Sequence, residues 1–168
     1  MSKKYEFTGE TKRVWGVTLH RIRALVDIPA LRVSVGDLGG WVESESNLSQ
    51  GSDNAWVFSN ALVSGNARAY GNARVYSNTQ VFGDARVYAP VITATRSDGY
   101  TFLIAPTPEG PRIIAGCRYF SLEQARKHWA NTRGGTRLGQ ESLALVDHLE
   151  RMAILNGFME PVVEEPQQ

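Results

Sequence analysis

The sequence predicts a mainly β protein organised around a short parallel β-helix, with an N-terminal strand cap before it and a small α+β domain after it. Three observations carry that expectation. A six-residue repeat occupies the middle of the chain, a stretch rich in β-branched residues precedes it, and after Pro90 the pattern changes to a hairpin followed by two helical segments.

Six consecutive hexads run in one register, with Val57, Val63, Ala69, Val75, Val81 and Val87 at the same phase. Two residues ahead of each stands a small residue: Ala55, Ala61, Ala67, Ala73, Thr79 and Ala85. Asn54, Asn60, Asn66, Asn72, Asn78 and Asp84 come next ahead, most of them preceded by Gly65, Gly71, Gly83, Ser59 or Ser77. A period of six is even, so on an extended chain the aliphatic and the small residue face the same side. The other places must turn the chain, and Gly-Asn or Ser-Asn pairs tolerate the positive φ of a corner. Three corners close a triangle, so eighteen residues make one coil, with valine filling the interior and alanine where the faces approach. Val42 and Leu48, with Ser46 at the small position, extend the pattern backwards until Ser49 to Asp53 breaks its phase, which gives about three coils in all.

The pattern V-x-G-N-A-x over residues 54 to 88 resembles the hexapeptide repeat of left-handed β-helix proteins, which include acyltransferases and non-catalytic members. The left hand is implied by that resemblance alone, because crossovers between parallel strands are otherwise right-handed. VTLHRIRALVDI, GDLGGWVESESNL and NAWVFSNA are similar to the start of the YdcK-like proteins of enterobacteria and their phage-encoded relatives, over roughly residues 12 to 90. This similarity implies a homotrimer that binds ligands in the grooves between subunits. An acyltransferase label drawn from the repeat is a fold-level analogy and says little about activity.

Residues 14 to 26 read as one or two strands that cap the first coil, whose open end would otherwise expose unpaired backbone. Beyond Pro90, Thr101 to Ala105 and Arg112 to Ala115 read as a hairpin around PTPEGP, with Asp98-Gly99 turning the chain before it. Ser121 and Gln124 form a capping-box signature before a helix of about eleven residues ending near Asn131. A second helix, Gln140 to Leu155, sets Leu145, Leu149 and Met152 at helical spacing and stops at Asn156-Gly157. The resulting division is a cap over 1–36, a repeat over 37–95, an α+β domain over 96–157 and a disordered tail over 158–168.

Lysine and arginine number 18 against 17 aspartate and glutamate, so no global basic field draws nucleic acid or an anionic membrane, and extended nucleic acid is not an expected partner. The N-terminus lacks an apolar signal core and no stretch reaches a bilayer-spanning length, which predicts a cytoplasmic protein, the host cytoplasm if phage-encoded. Cys117 is the one cysteine, which excludes an intrachain disulfide and a cysteine-cluster zinc site.

Candidate binding residues follow from stacking at the eighteen-residue repeat. Arg68 falls over Arg86, Tyr70 over Tyr88, Trp56 over Arg74 and Phe58 over Tyr76. Arginine interleaved with aromatic rings suits a protein interface, and also a phosphate-bearing nucleotide. Thr132-Arg133-Gly134-Gly135-Thr136-Arg137 places glycine N–H groups and two arginines just before a helix, an arrangement suited to an anion, and Arg96, Asp98 and Tyr100 could form a polar site beside it. The ligand- or partner-binding set is therefore Arg68, Tyr70, Arg74, Tyr76, Arg86, Tyr88, Arg133 and Arg137.

Evidence for catalysis is thin by comparison. No histidine occurs between residues 37 and 95, where an acyltransferase base is expected, and His20, His128 and His148 read as packed or solvent-facing. Cys117 follows Ile113, Ile114 and Ala115 and is expected to be a buried, inert thiol, although with His128 it would supply a nucleophile and a base. The asparagine row is corner chemistry and not a metal site. No catalytic residue, metal or cofactor is assigned. The expected function is non-enzymatic, that of a trimeric interaction protein of phage type such as a host-defence antagonist, which binds a host protein or a nucleotide. A coenzyme A-dependent acyltransferase is the alternative.

Overall fold

In the computed structural model, residues 3–76 and 78–160 are described. The chain opens with the longest hairpin of the molecule, β1 (Tyr5–Val14) against β2 (Val17–Ala24), joined by Trp15 and Gly16, both at positive φ. Two successive positive-φ residues give a turn whose twist matches that of the strands. Tyr5, Leu19, Ile22 and Ala24 are buried while charged residues alternate outward, as a half-covered antiparallel pair requires.

β3 (Leu38–Val42) pairs antiparallel with β2 on one side and parallel with β5 (Leu62–Val63) on the other. Gly39 and Gly40 allow this: a Cβ on Gly39 would come within 2.5 Å of Ile22, and one on Gly40 within 2.5 Å of the Ala61 carbonyl oxygen.

Each hexad then contributes a strand of only two residues. These are β4 (Trp56–Val57), β5, β6 (Arg68–Ala69), β7 (Arg74–Val75), β8 (Gln80–Val81) and β9 (Arg86–Val87). Pairing is parallel between residues eighteen apart, Val57 with Val75, Val63 with Val81 and Ala69 with Val87. Every aliphatic and small position of the repeat is buried, Thr79 included. Gly65, Gly71 and Gly83 adopt positive φ at the corners, and Asn54 donates to Asn72, as Asn66 does to Asp84. The corner expected at Ser77 lies outside the described residues.

The expectation of one short left-handed parallel β-helix of about three coils is corrected by the sheets themselves. The strands divide among a five-stranded mixed sheet in the order β1-β2-β3-β5-β8, two separate two-stranded parallel sheets, β4-β7 and β6-β9, and a four-stranded antiparallel sheet. Two things prevent a single parallel coil. The long antiparallel hairpin at the N-terminus is continuous with one face of the repeat, and the two-residue strands of the other faces pair only among themselves. The protein is mainly β, with mixed sheets and two helices.

Ser49 to Asp53 acts as a three-residue insertion, since Val42 pairs with Val63 and Leu48 bridges to Ala69 at a separation of twenty-one. Asp53 anchors it by accepting from the Gly71 N–H at 2.7 Å and from Lys4 Nζ at 2.6 Å. Burial alone would raise the Asp53 pKa, but hydrogen bonds from Lys4, Ser49 and Gly71 together hold it below the usual range.

The antiparallel sheet comprises β10 (Ile92–Thr95), β11 (Thr101–Ala105), β12 (Arg112–Ala115) and β13 (Arg118–Phe120). Both of its faces are covered. Leu103, Ala105 and Ile114 pack into the repeat core, while Phe102, Ile104, Ile113 and Ala115 pack under helices α1 (Leu122–Arg133) and α2 (Arg137–Leu155). The predicted hairpin strands coincide with β11 and β12. Of the expected disordered tail, 161–168 lies outside the described residues.

Candidate functional site

The eight candidate binding residues do not converge. Arg68 and Arg86 lie in register on β6 and β9, with Tyr70 and Tyr88 following at 6.3 Å between ring centroids. Arg74 belongs to a different sheet, β4-β7, and Tyr76 beyond it stacks on Phe58 at 4.7 Å. Trp56 pairs with Arg74 as expected but is 1% exposed, because Tyr5 of the N-terminal hairpin covers it edge-on.

Arg133 and Arg137 sit elsewhere, and the loop read between them is shorter than the sequence suggested. Arg133 ends α1 and Arg137 begins α2, so only Gly134, Gly135 and Thr136 connect the helices. Thr136 is the N-cap of α2 and accepts from the Gly139 N–H at 3.1 Å, which extends the helix three residues ahead of its expected start. Crowding against the end of α1, not an open anion cradle, explains two glycines here: a Cβ on Gly134 would stand 2.2 Å from the Ala130 oxygen of the last turn, and one on Gly139, in α2, 1.9 Å from the Arg133 oxygen. Arg137 is held by Glu141 at 3.4 Å and Ser97 at 3.3 Å.

Arg133 instead lines a pocket of about 520 Å³ between the sheet and α1, together with Arg96, Asp98, Tyr100, Arg118 and His128. Trp129 and Thr132 complete the wall. The lining side chains arrive from three elements: Arg96 from the β10–β11 turn, Arg118 from the start of β13, and His128 and Arg133 from α1. The turn is closed by the Gly99 N–H donating to the Arg96 oxygen at 2.8 Å, as Asp98-Gly99 predicted.

Arg96 is the fixed point. It is 5% exposed, its Nε and Nη2 donate to the two Asp98 oxygens at 2.9 and 2.8 Å, and its Nη1 donates to Ser142 Oγ at 2.9 Å. The guanidinium also lies over the Tyr100 ring, 5.0 Å from its centroid. Its hydrogen bonds hold Asp98 down to a pKa of about 2, so the pair is ionised and mutually neutralised at neutral pH. Net positive charge in the pocket therefore comes from Arg118 and Arg133.

Arg118 Nε donates to His128 Nε2 at 2.9 Å, which requires His128 to be neutral with its proton on Nδ1. Burial and the Arg118 charge both push the His128 pKa below its ordinary value. His128 is thus neither free-standing nor simply packed. Trp129 is buried, and its indole N–H has no hydrogen-bond partner among the described residues.

Cys117 is exposed in the β12–β13 turn, contrary to the expectation of a buried thiol, because the chain reverses at Gly116 directly after the apolar run. Arg118 reaches both groups of the suggested nucleophile–base pair, with Nη1 4.0 Å from Cys117 Sγ while Nε occupies His128. The imidazole's acceptor nitrogen is already taken. His20 stacks on Phe7 at 4.8 Å, and His148 is an exposed residue of α2. Among the described residues no helix is long and apolar enough to cross a membrane, and no cluster of three His, Cys, Asp or Glu side chains gathers as metal ligands would.

No protein-family model matches the chain, and no curated protein matches it either. Assignment therefore rests on the chemistry of the pocket. Arg118, His128 and Trp129 were missed because they are joined to the rest only by sheet pairing and the packing of α1. Arg96, Asp98 and Tyr100 were the legible part, through a turn motif dense in charge.

Proposed function

We propose that this protein binds an anionic, phosphate-bearing ligand in the pocket between its C-terminal sheet and α1, and acts by binding rather than by catalysis. The observation that carries the reading is the convergence of the Arg118 and Arg133 guanidinium groups on a space whose one lining carboxylate, Asp98, is already satisfied by Arg96. Bidentate guanidinium donors match phosphate geometry. The absence of a free base favours capture over turnover, since His128 gives its acceptor nitrogen to Arg118.

Calorimetric titration with pyrophosphate tests this. Binding is expected, and Arg133→Ala is expected to weaken it about tenfold or more, on the scale of one lost charge-assisted hydrogen bond, with an unchanged melting temperature. Unaltered affinity in that variant removes the pocket from the function.

A second reading is carried by β6 and β9. Arg68 stands in register over Arg86, like charges that repel across a sheet, and neither forms a salt bridge among the described residues. A row of this kind, edged by Tyr70 and Tyr88, suits an acidic protein partner or trimeric self-association. Light scattering gives three times the chain mass of 18.6 kDa if the trimer forms, and Arg68→Glu with Arg86→Glu should dissociate it.

A further inference from the structure

A second cavity, of about 260 Å³, shares Tyr100 with the anion pocket and takes Gly99 where that pocket takes Asp98. The two therefore meet at one turn, Arg96 to Tyr100, which is closed on itself by the Arg96 N–H donating to the Tyr100 oxygen at 2.9 Å. Their chemistry is opposite. Where the first is cationic, the second is walled by the aliphatic side chains of Leu103 and Ile114, roofed by the Trp15 ring, and edged by the amides of Asn78 and Gln80.

Trp15 and Asn78 are exposed and Gln80 is partly exposed, so the ring and the amides face a ligand while Leu103 and Ile114 form a buried floor. Trp15 is 69% exposed at the tip of the β1–β2 hairpin and leans on Phe82 at 5.2 Å, so its ring is held in place without being covered. Asn78 is exposed, and among the described residues it makes no bond like those that tie Asn54 to Asn72 and Asn66 to Asp84. A primary amide offers a donor and an acceptor side by side, which is the complement of a nucleobase edge. An exposed tryptophan ring is a stacking platform for the face of the same base. Gly116 fixes the shared wall: a Cβ there would stand 2.4 Å from the Tyr100 hydroxyl, so only glycine lets that ring lie where it borders both cavities.

Size argues for one ligand rather than two. Ligand pockets usually enclose about 300–1,000 Å³. The larger cavity falls within that range and the smaller below it, so the smaller is sized to extend a ligand held in the larger and not to hold one of its own. We propose that the two cavities form one bipartite site for a nucleoside monophosphate, with phosphate held by Arg118 and Arg133 and the base stacked on Trp15 and read by Asn78 and Gln80. This rests on the anion-binding reading of the larger pocket and adds to it the class of ligand.

Isothermal titration of the full chain with the four ribonucleoside 5′-monophosphates, ribose 5-phosphate and pyrophosphate tests the proposal. At least one monophosphate is expected to bind about tenfold or more tightly than ribose 5-phosphate, the increment that base stacking supplies. Trp15→Ala and Gln80→Ala should each erase that difference, whereas Arg133→Ala should weaken nucleotide and ribose 5-phosphate by the same factor. If all four monophosphates match ribose 5-phosphate, the smaller cavity reads no base and the inference falls while the anion pocket stands. If pyrophosphate and every monophosphate fail to bind, both fall together.

Discussion

The repeat region and the C-terminal sheet solve the same problem, covering a β surface, in opposite ways. In the repeat, each hexad supplies one aliphatic and one small buried residue and only two residues of strand, so the interior is built from short interchangeable steps. In the C-terminal part four strands present two different apolar faces, one to the repeat core and one to the helices. The repeat therefore depends on many equal contributions and leaves its outer positions uncommitted. The sheet depends on a few large side chains, and it gathers polar groups from distant positions at its rim. That difference places the candidate site beside the sheet and not on the repeat.

Variants in the two regions test this contrast, beginning with the interior of the repeat. Val75→Asp sets an unpaired charge among fully buried side chains and is expected to abolish cooperative folding, a cost of several kcal/mol. A normal thermal transition in that variant would refute the interior phase. Phe102→Ala removes the ring packed between Tyr100 and Trp129 and should cost about 3–5 kcal/mol in denaturant unfolding. Helical circular dichroism should be lost before strand signal if the two regions are as separable as their cores suggest.

Ser142→Ala leaves the buried Nη1 of Arg96 without its acceptor and is expected to cost about 1–3 kcal/mol, a loss that Arg96→Lys should not restore, because the bidentate grip on Asp98 goes with it. Titration of His128 has a smaller effect of defined sign. Its pKa is lowered in the folded protein, so the unfolded chain takes up the proton first as pH falls. The stability it contributes is complete above its ordinary value of 6.5 and declines as pH drops below that value. Melting temperatures measured from about pH 8 to about pH 5 should fall less steeply in His128→Asn than in the parent chain. Smallest of all, Arg86→Ala relieves the repulsion with Arg68 and should change stability by less than about 0.5 kcal/mol, with no loss.

Legibility in the sequence followed the same division. The valine and alanine rows, the corner glycines and the eighteen-residue pairing distance were readable because a local period dictates which side chains face inward. The β11–β12 hairpin and the capping box at Ser121, where Gln124 N–H donates to Ser121 Oγ at 3.1 Å, were readable for a similar reason, since turn and cap chemistry is local. Sheet membership was not. β1 carries alternating charge that hides its pairing role, and β13 is three residues between a turn and a helix cap.

The sequence by itself determined the buried rows, the places where the chain turns, and the two helices, because period, glycine conformation and capping act over a few residues. Only the tertiary structure decided that the strands divide among mixed, parallel and antiparallel sheets. It alone added Arg118, His128 and Trp129 to the pocket of Arg96 and Arg133, because a site assembled from a turn, a strand end and a helix has no spacing that a linear sequence can show.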